Sequence, residues 1–103
     1  MIGTVAFMAP EVLRGEQYGR SADIWSLGCV IIEMSTGKPP WDAHNLNNAF
    51  ALIYKIASSP RPPDIPTHIS PALKDFCTRL LQPDPKDRPG SGDLHKHPVF
   101  IRW

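Results

Sequence analysis

Apolar residues recur at helical spacing in several stretches of the chain, and the longest such stretch lies between Ser21 and Met34. Two apolar stripes run along it: Ile24, Leu27, Ile31 and Met34 on one side, and Trp25, Cys29 and Ile32 on another. A surface helix has one polar half, so stripes on two sides predict a helix surrounded by other elements. Ser21 is its predicted N-cap, and Gly37 with the prolines that follow is predicted to end it.

Four shorter helices are predicted around this central one. The sequence indicates one turn at Ala9–Leu13, a helix at Asn47–Ala57, a helix capped by Ser70, and a short last helix at Asp93–Lys96 that ends before Pro98. Their expected inward faces are Phe50, Ile53 and Ala57 in the second of these helices, and Leu73, Phe76, Cys77, Leu80 and Leu81 in the third. The segment SPRPPDIPTHIS is too rich in proline for anything but a loop. The pattern contains no strand or hairpin signal, so the predicted fold class is mainly α.

Composition narrows the class of protein. With 103 residues, 42% apolar and 20% charged, the chain fits one small globular domain. A formal charge of +1 without a basic stripe argues against a nucleic-acid partner, and the longest apolar run is far short of the roughly 20 residues that a membrane span needs. Cys29 and Cys77 each stand alone in an apolar helical segment, which favours buried, reduced thiols in a cytoplasmic protein.

Five motifs follow one another along the chain. GTVAFMAPE is followed by SADIWSLGCVIIEM, TGKPPW, DPKDRP and KHPVF, and A-P-E is the motif that ends a protein-kinase activation segment. In this order and spacing the motifs resemble the last part of a serine/threonine protein kinase catalytic domain. The amino-acid sequence of the first two motifs is most similar to that of the mitogen-activated protein kinase kinase kinases. The resemblance covers essentially the whole chain. It implies that residues 1–103 are a partial kinase domain: a piece of the helical C-terminal lobe that starts inside the activation segment, without the N-terminal β lobe.

The resemblance also implies structural roles for three charged residues. Glu11 of A-P-E and Arg88 of DPKDRP are expected to form a buried ion pair between positions 77 apart (88 minus 11). Asp23, two residues before Trp25, is expected to anchor the backbone of the catalytic loop. A simpler interpretation of Asp23, a first-turn charge that stabilises the helix dipole, is compatible with that role.

The segment before A-P-E carries the expected substrate contacts. By the resemblance, Gly3, Thr4, Phe7 and Met8 form the substrate-binding part of the activation segment. Thr4 faces the phosphoacceptor hydroxyl, and Phe7 and Met8 shape the pocket for the neighbouring substrate residue. Thr4 also lies in the interval where regulatory phosphorylation falls, so it is a candidate phosphosite, with an ordinary turn residue as the alternative.

Catalytic residues and cofactors are expected elsewhere. The 103 residues contain no glycine-rich phosphate loop, no Val-Ala-Ile-Lys, no His-Arg-Asp and no Asp-Phe-Gly. We therefore expect no catalytic residue, no metal and no cofactor in this chain, which alone would be inactive. The complete kinase would use ATP and Mg²⁺, with the rest of the kinase domain and a protein substrate, a downstream kinase, as partners.

Two functions remain open at this point. One is a fragment, from a truncated gene model or a splice product, of an ATP-dependent kinase in a mitogen-activated cascade. The alternative is a non-catalytic helical interaction module derived from a kinase C-lobe.

Two further signals in the sequence are weak. His95 and His97 are expected at the surface rather than in a metal site. The P-x-x-P spacing of the proline-rich loop could bind an SH3 domain but fits a stiff connector better.

Overall fold

The computed structural model describes residues 2–46 and 48–101, and its longer helices follow from recognisable local signals. Six α-helices form in chain order: α1 at Ile2–Val5, α2 at Pro10–Leu13, α3 at Arg20–Thr36, α4 at Ala49–Ser58, α5 at Pro71–Leu80 and α6 at Pro98–Ile101. Short 3-10 segments lie at Pro40–Asn45, Pro85–Asp87 and Ser91–Lys96. The described residues contain no strand, so the mainly α class is confirmed for them.

Helix α3 is the centre of the fold, as its two apolar stripes predict. Ala22, Trp25, Cys29 and Ile32 face one core cluster, which also contains Leu52 and Ile56 of α4, while Ile24 on another side faces a second cluster with Phe76 and Leu80 of α5. A third side of α3 is open to solvent: Leu27, Val30 and Met34 are exposed, Met34 to 81%. The helix therefore separates two cores and leaves an apolar strip uncovered.

The boundaries of α3 are partly as predicted. Gly37 adopts a left-handed conformation (φ 74°) and donates its N–H to Glu33 O at 2.8 Å, which ends the helix as expected. The predicted N-cap is wrong, because the helix begins at Arg20, one residue before Ser21, and its N-cap is Gly19 without a side-chain cap. The Ser21 carbonyl instead accepts a hydrogen bond from Arg88.

The inward face predicted for α4 is only partly correct: Ile53 packs against the first core cluster as expected, but the most deeply buried residues lie on a neighbouring line. The predicted start at Asn47 lies outside the described residues; Asn48 caps the helix by accepting the Phe50 N–H at 2.8 Å. Leu52 and Ile56 are fully buried, whereas Phe50 is 81% exposed. Since residues four apart share a helix face, the buried line is the 52–56 line and the assignment of Phe50 to the core is wrong.

The proline-rich connector, residues 59–70, joins α4 to α5. Ser70 caps α5 by accepting the Leu73 N–H at 3.2 Å, and the expected inward residues of α5 are buried or partly buried. Residues 59–70 form neither helix nor strand, as predicted. Pro63 is buried within this segment. Because both P-x-x-P spacings of the segment include Pro63, the loop packs against its own chain rather than presenting a free polyproline surface.

The short helix predicted at Asp93–Lys96 is present as a 3-10 helix that ends before Pro98 as expected, and a further helix, not predicted, begins at Pro98. Ser91–Lys96 is a 3-10 segment, and Pro98 occupies the first position of α6, where its missing N–H costs nothing. His97 precedes it and accepts the Val99 N–H through Nδ1 at 3.0 Å, so the imidazole acts as an N-cap. Cα atoms of the chain have a radius of gyration of 13.4 Å, close to the roughly 13 Å of a compact domain of about 100 residues.

Candidate functional site: the segment before Ala-Pro-Glu and its anchor

The segment from Thr4 to Leu13 packs mainly against α4 through the short helices α1 and α2, and Ser26 attaches it to α3. α1 ends at Val5, two turn residues follow, and α2 begins at Pro10, whose position in the first helical turn leaves no donor unsatisfied. Val5, Ala6 and Ala9 are buried in the first core cluster. The small apolar residues between the two helices therefore fix the backbone of this segment on the core.

Ser26 adds a polar attachment for the same segment. Its Oγ donates to the Phe7 carbonyl at 2.7 Å and to the Ala22 carbonyl of its own helix at 3.2 Å. A hydroxyl has one proton, so these two distances describe alternative or shared donation. Ser26 is not among the residues predicted from the sequence, although a serine beside Trp25 on an otherwise apolar helix is a visible signal. The contact fixes Phe7, which is itself partly buried against the core.

Glu11 and Arg88 form a bidentate ion pair under this segment. Arg88 Nη1 lies 2.7 Å from Glu11 Oε2 and Nη2 lies 2.9 Å from Oε1, and the side chains are 0% exposed for Arg88 and 1% for Glu11. The structure thus brings these two predicted residues together across the 77 positions between them.

Arg88 has every other donor direction occupied as well. Its guanidinium donates to the carbonyls of Gln82 (2.8 Å), Ser21 (2.9 Å) and Pro83 (3.3 Å), and Cζ lies 5.0 Å from the centroid of the Trp25 ring. A planar guanidinium with five N–H groups can satisfy a carboxylate and several carbonyls at once, which a lysine ammonium cannot. One side chain therefore joins α2, the start of α3 and the 82–88 segment.

Burial and the ion pair with Arg88 shift the pKa of Glu11 in opposite directions. Burial alone would raise the pKa of the Glu11 carboxyl, but the hydrogen bonds and the positive charge of Arg88 hold that pKa below its ordinary value of 4.5. Glu11 is therefore ionised at neutral pH, and the ion pair is a permanent contact.

Of the four predicted substrate residues, only Met8 lines the surface cavity beside this segment. Met8 lines a cavity of about 480 Å³ together with Ala9, Val12, Tyr18, Gly19, Arg20, Ala22, Asp23 and Ser26. Thr4 is exposed in α1, and Gly3 belongs to the same helix. Phe7 is not among the cavity residues, because its side chain packs towards the core. Thr4, Met8 and Asp23 therefore remain accessible, and Phe7 supports them from beneath.

Asp23 is exposed in the first turn of α3. Within residues 2–46 and 48–101, its carboxylate has no hydrogen-bond partner. Its position suits the helix-dipole role, and its carboxylate oxygens are open to the cavity described above. The anchoring role for a catalytic loop stays a prediction.

His95 and His97, near the end of the chain, differ in their exposure to solvent. His95 is exposed, but the expectation that both are surface residues is wrong for His97, whose side chain is only 8% exposed. Its Nε2 lies 2.6 Å from Asp75 Oδ2, and its ring centroid lies 5.1 Å from that of Phe76. Since Nδ1 accepts the Val99 N–H, Nε2 carries the proton that is donated to Asp75. In the described part of the chain, no group of three or more His, Cys, Asp or Glu side chains could hold a metal ion.

Both cysteines are buried free thiols. Burial raises the pKa of Cys29 to about 12 and that of Cys77 to about 11. Neither thiol carries the charge that nucleophilic or metal-binding chemistry requires at neutral pH. Among residues 2–46 and 48–101, no helix has the length and apolar character that a membrane crossing requires.

The helical fold, the ordered motifs and the buried Glu-Arg pair define the class of protein. A family model described as "Protein kinase domain" matches residues 1–100, and the chain belongs to that family. The described residues are a helical piece consistent with part of the kinase C-terminal lobe, without an N-lobe sheet.

Curated relatives narrow the group within the family. The chain is 60% identical over 100 residues to mitogen-activated protein kinase kinase kinase 1 of Mus musculus, covering 97% of this chain and 7% of that protein. It is 50% identical over 101 residues to mitogen-activated protein kinase kinase kinase A of Dictyostelium discoideum, covering 98% of this chain and 10% of the relative. It is also 50% identical over 99 residues to mitogen-activated protein kinase kinase kinase 4 of Homo sapiens, covering 93% and 6%. The chain therefore spans only a small part, 10% or less, of the length of each of these relatives.

Proposed function

We propose that this chain is the substrate-binding and structural part of the C-lobe of a serine/threonine protein kinase that acts in a mitogen-activated protein kinase cascade. The observation that carries the proposal is the buried Glu11–Arg88 pair, which ties Ala-Pro-Glu to the helical base, while Thr4 is exposed and the half-buried Met8 lines a surface cavity. A segment that must meet a protein substrate needs this combination of a fixed backbone and an accessible surface.

Each residue of the segment has a proposed task. The Thr4 hydroxyl can donate and accept at once, which suits a position between a catalytic carboxylate and a substrate hydroxyl. Met8 offers a flexible, polarizable wall to the cavity, and such walls adapt to different apolar side chains of a substrate. Glu11 and Arg88 are positioning residues, since they hold the segment without reaching the cavity.

ATP and Mg²⁺ belong to the proposed complete kinase and do not fit the residues of this chain. No described cluster of acidic side chains could hold the metal, and the sequence carries none of the phosphate-binding motifs. We therefore assign no step of phosphoryl transfer to the 103 residues. The proposed partners are the rest of the kinase domain and a protein substrate, a downstream kinase, and the proposed location is the cytoplasm.

The test is a comparison of peptide phosphorylation by the full-length kinase and its Met8→Ala variant. We expect a loss in kcat/KM that depends on the residue next to the phosphoacceptor: about tenfold for a bulky apolar residue and little for alanine, as for about one to two kcal/mol of lost apolar contact. Leu27→Ala, an exposed position on α3 away from the cavity, is the matched control. Equal losses for all peptides, or no loss, would show that Met8 does not select the residue next to the phosphoacceptor and would overturn its assignment to the substrate-binding surface.

A further inference from the structure

A second cavity, of about 420 Å³, lies at the other end of the fold. It is enclosed by the C-terminal end of α3, the Pro40–Asn45 segment, α4 and the start of the proline-rich loop. Three cations line it, Lys38, Lys55 and Arg61. In the part of the chain that the structure describes, none of the three has a carboxylate within 4 Å of its nitrogens.

The cavity has an excess of positive charge. Asp42 and Asp64 also line it, so the charged groups sum to +1 (three cations minus two carboxylates). Lys55 Nζ donates to the Trp41 carbonyl at 3.1 Å, and Trp41 and Asp42 both have positive φ, 65° and 53°. A non-glycine pair in this conformation is uncommon, and such backbone outliers concentrate at functional sites.

Ser59 stands in the same cavity wall. It is the first residue after α4, with φ −74° and ψ 131°, and its Oγ accepts the Arg61 N–H at 3.2 Å and donates to the Arg61 carbonyl at 3.0 Å. Ser59 is half-buried, and Pro60 and Arg61, which follow it, are both exposed. A residue before proline is held in an extended conformation, which is the form in which a peptide lies across a kinase active site.

We propose that Ser59 is a phosphorylation site for a proline-directed protein kinase and that the cations of this cavity bind the resulting phosphate. In the modification, Ser59 Oγ forms a bond to the γ-phosphorus of a nucleoside triphosphate, the bond from that phosphorus to the β-γ bridging oxygen breaks, and the hydroxyl proton leaves to a base of the modifying kinase. The products are phosphoserine and the nucleoside diphosphate. This proposal does not depend on whether the chain itself takes part in phosphoryl transfer.

Two of the cations flank Ser59 in the sequence and would bind a phosphate on its hydroxyl. Lys55 precedes Ser59 by four residues, one helical turn, and Arg61 follows it by two. The C-terminal end of α4 disfavours a negative charge, but this effect is confined to the last turn and is screened by salt. A phosphate that faces cations gains about one to three charge-assisted hydrogen bonds, which outweigh it. Phosphorylation removes the donation to the Arg61 carbonyl and replaces it with contacts that tie the loop to α4.

Ser70 is an internal comparison, because it is also followed by a proline. Its Oγ caps α5, and Pro71 is locked in the first helical turn, so the residues after Ser70 are not extended. The cavity does not include Ser70. We therefore expect phosphate on Ser59 in the folded protein, with Ser70 modified only when the chain is unfolded.

The first experiment treats the full chain with a proline-directed serine/threonine kinase and Mg·ATP and maps phosphate by mass spectrometry. Phosphate on Ser59, retained in Ser58→Ala and lost in Pro60→Ala, supports the proposal. No phosphate on Ser59, or phosphate on Ser59 only after urea denaturation, overturns it.

The second experiment measures how fast a broad-specificity phosphatase removes the Ser59 phosphate. In the Lys38→Gln/Arg61→Gln double variant we expect removal to be about tenfold faster, the equivalent of one charge-assisted contact. Lys86→Gln, another exposed cation that has no carboxylate within 4 Å among the described residues but lies outside the cavity, should match the parent protein. Circular dichroism checks that each variant is folded. Equal rates in all three proteins would overturn the role of the cavity.

Discussion

Glu11 and Arg88 meet through two parallel hydrogen bonds, of 2.7 and 2.9 Å, in the interior of the molecule. The pair joins α2 near the beginning of the chain to the segment after α5, and the Arg88 guanidinium also lies over the Trp25 ring of α3. A contact between residues this far apart in sequence closes most of the chain into one loop. Its strength therefore sets how firmly the segment before Ala-Pro-Glu is held on the helical base.

The first prediction is that Arg88→Ala destabilises the fold by about 3 to 5 kcal/mol, because it leaves the Glu11 carboxylate buried without its partner. The free energy of unfolding in urea measures this loss. Arg79→Ala is the control: its pair with Asp75 is largely exposed, and such pairs contribute about 0 to 1 kcal/mol. Similar stability of the two variants would mean that the Glu11–Arg88 pair contributes no more than a surface contact.

The second prediction concerns pH. Because the pKa of Glu11 is lower in the folded protein than its ordinary 4.5, the unfolded chain binds a proton at higher pH than the folded one does. The stabilisation from Glu11 is complete above pH 4.5 and is lost as the pH falls from there through the folded pKa. We expect the melting temperature to drop over this interval, and to drop less in Glu11→Gln, which has no carboxyl to titrate.

Asp75 needs a control in that experiment. Hydrogen bonds from Arg79 and then His97 also hold the pKa of Asp75 below its ordinary 3.8, so this exposed carboxylate loses its contribution in a lower interval. Asp75→Asn should leave the decline that starts near pH 4.5 intact. If Glu11→Gln and the parent protein lose stability in parallel from about pH 6 to about pH 3, the acid sensitivity comes from other groups.

The central helix could be predicted from the sequence, since apolar stripes on two sides of a helix require neighbouring elements on both. Trp25 and Ile24 do face different clusters, but the expectation that Leu27 and Met34 are covered together with Ile24 is wrong among the described residues, since both side chains are exposed. The Glu11–Arg88 contact can be predicted only from the motifs in which the two residues stand. Periodicity cannot reveal which of several charged residues meet across 77 positions.

The wrong predictions have local causes. In α4 both the 50–53–57 line and the 52–56 line are apolar, and only tertiary packing chooses between them. The positive φ values of Trp41 and Asp42 have no sequence signal, because neither residue type favours the conformation as glycine does. Helix α6 is missed because its N-cap, His97, lies outside the usual set of capping residues, although Pro98 suits the first position of a helix as well as the end of the preceding one.

The third prediction is that both thiols resist alkylation in the folded protein. Cys29 and Cys77 are buried, and burial raises their pKa values to about 12 and about 11, so the thiolate fraction at about pH 8 is very small. Iodoacetamide at about pH 8 should label neither residue in the native protein and both in about 6 M guanidinium, as counted by mass spectrometry. Rapid native labelling of Cys29 would contradict the burial of α3.

The fourth prediction tests the close approach of α3 to the end of α5. A Cβ added to Gly28 would lie 2.7 Å from Leu81 Cγ and 2.8 Å from Leu81 Cδ2, and Leu81 is fully buried and cannot turn away freely. Gly28→Ala should therefore cost about 1 to 3 kcal/mol of overpacking, against a gain of about 1 kcal/mol in helix propensity. We expect net destabilisation in urea unfolding.

A double-mutant cycle separates the clash from any other effect of Gly28→Ala. In a Leu81→Ala background the two closest atoms are removed and only Leu80 Cβ, 3.2 Å from the added Cβ, stays close, so the same substitution should cost much less, which gives a coupling energy of about 1 to 3 kcal/mol. Gly92→Ala is the matched control, because a Cβ there meets no atom within 4 Å, its φ is not positive and it is not a helix cap. If the effects of Gly28→Ala and Leu81→Ala simply add, the two side-chain positions are not in contact, and α3 and the end of α5 lie further apart than these distances state.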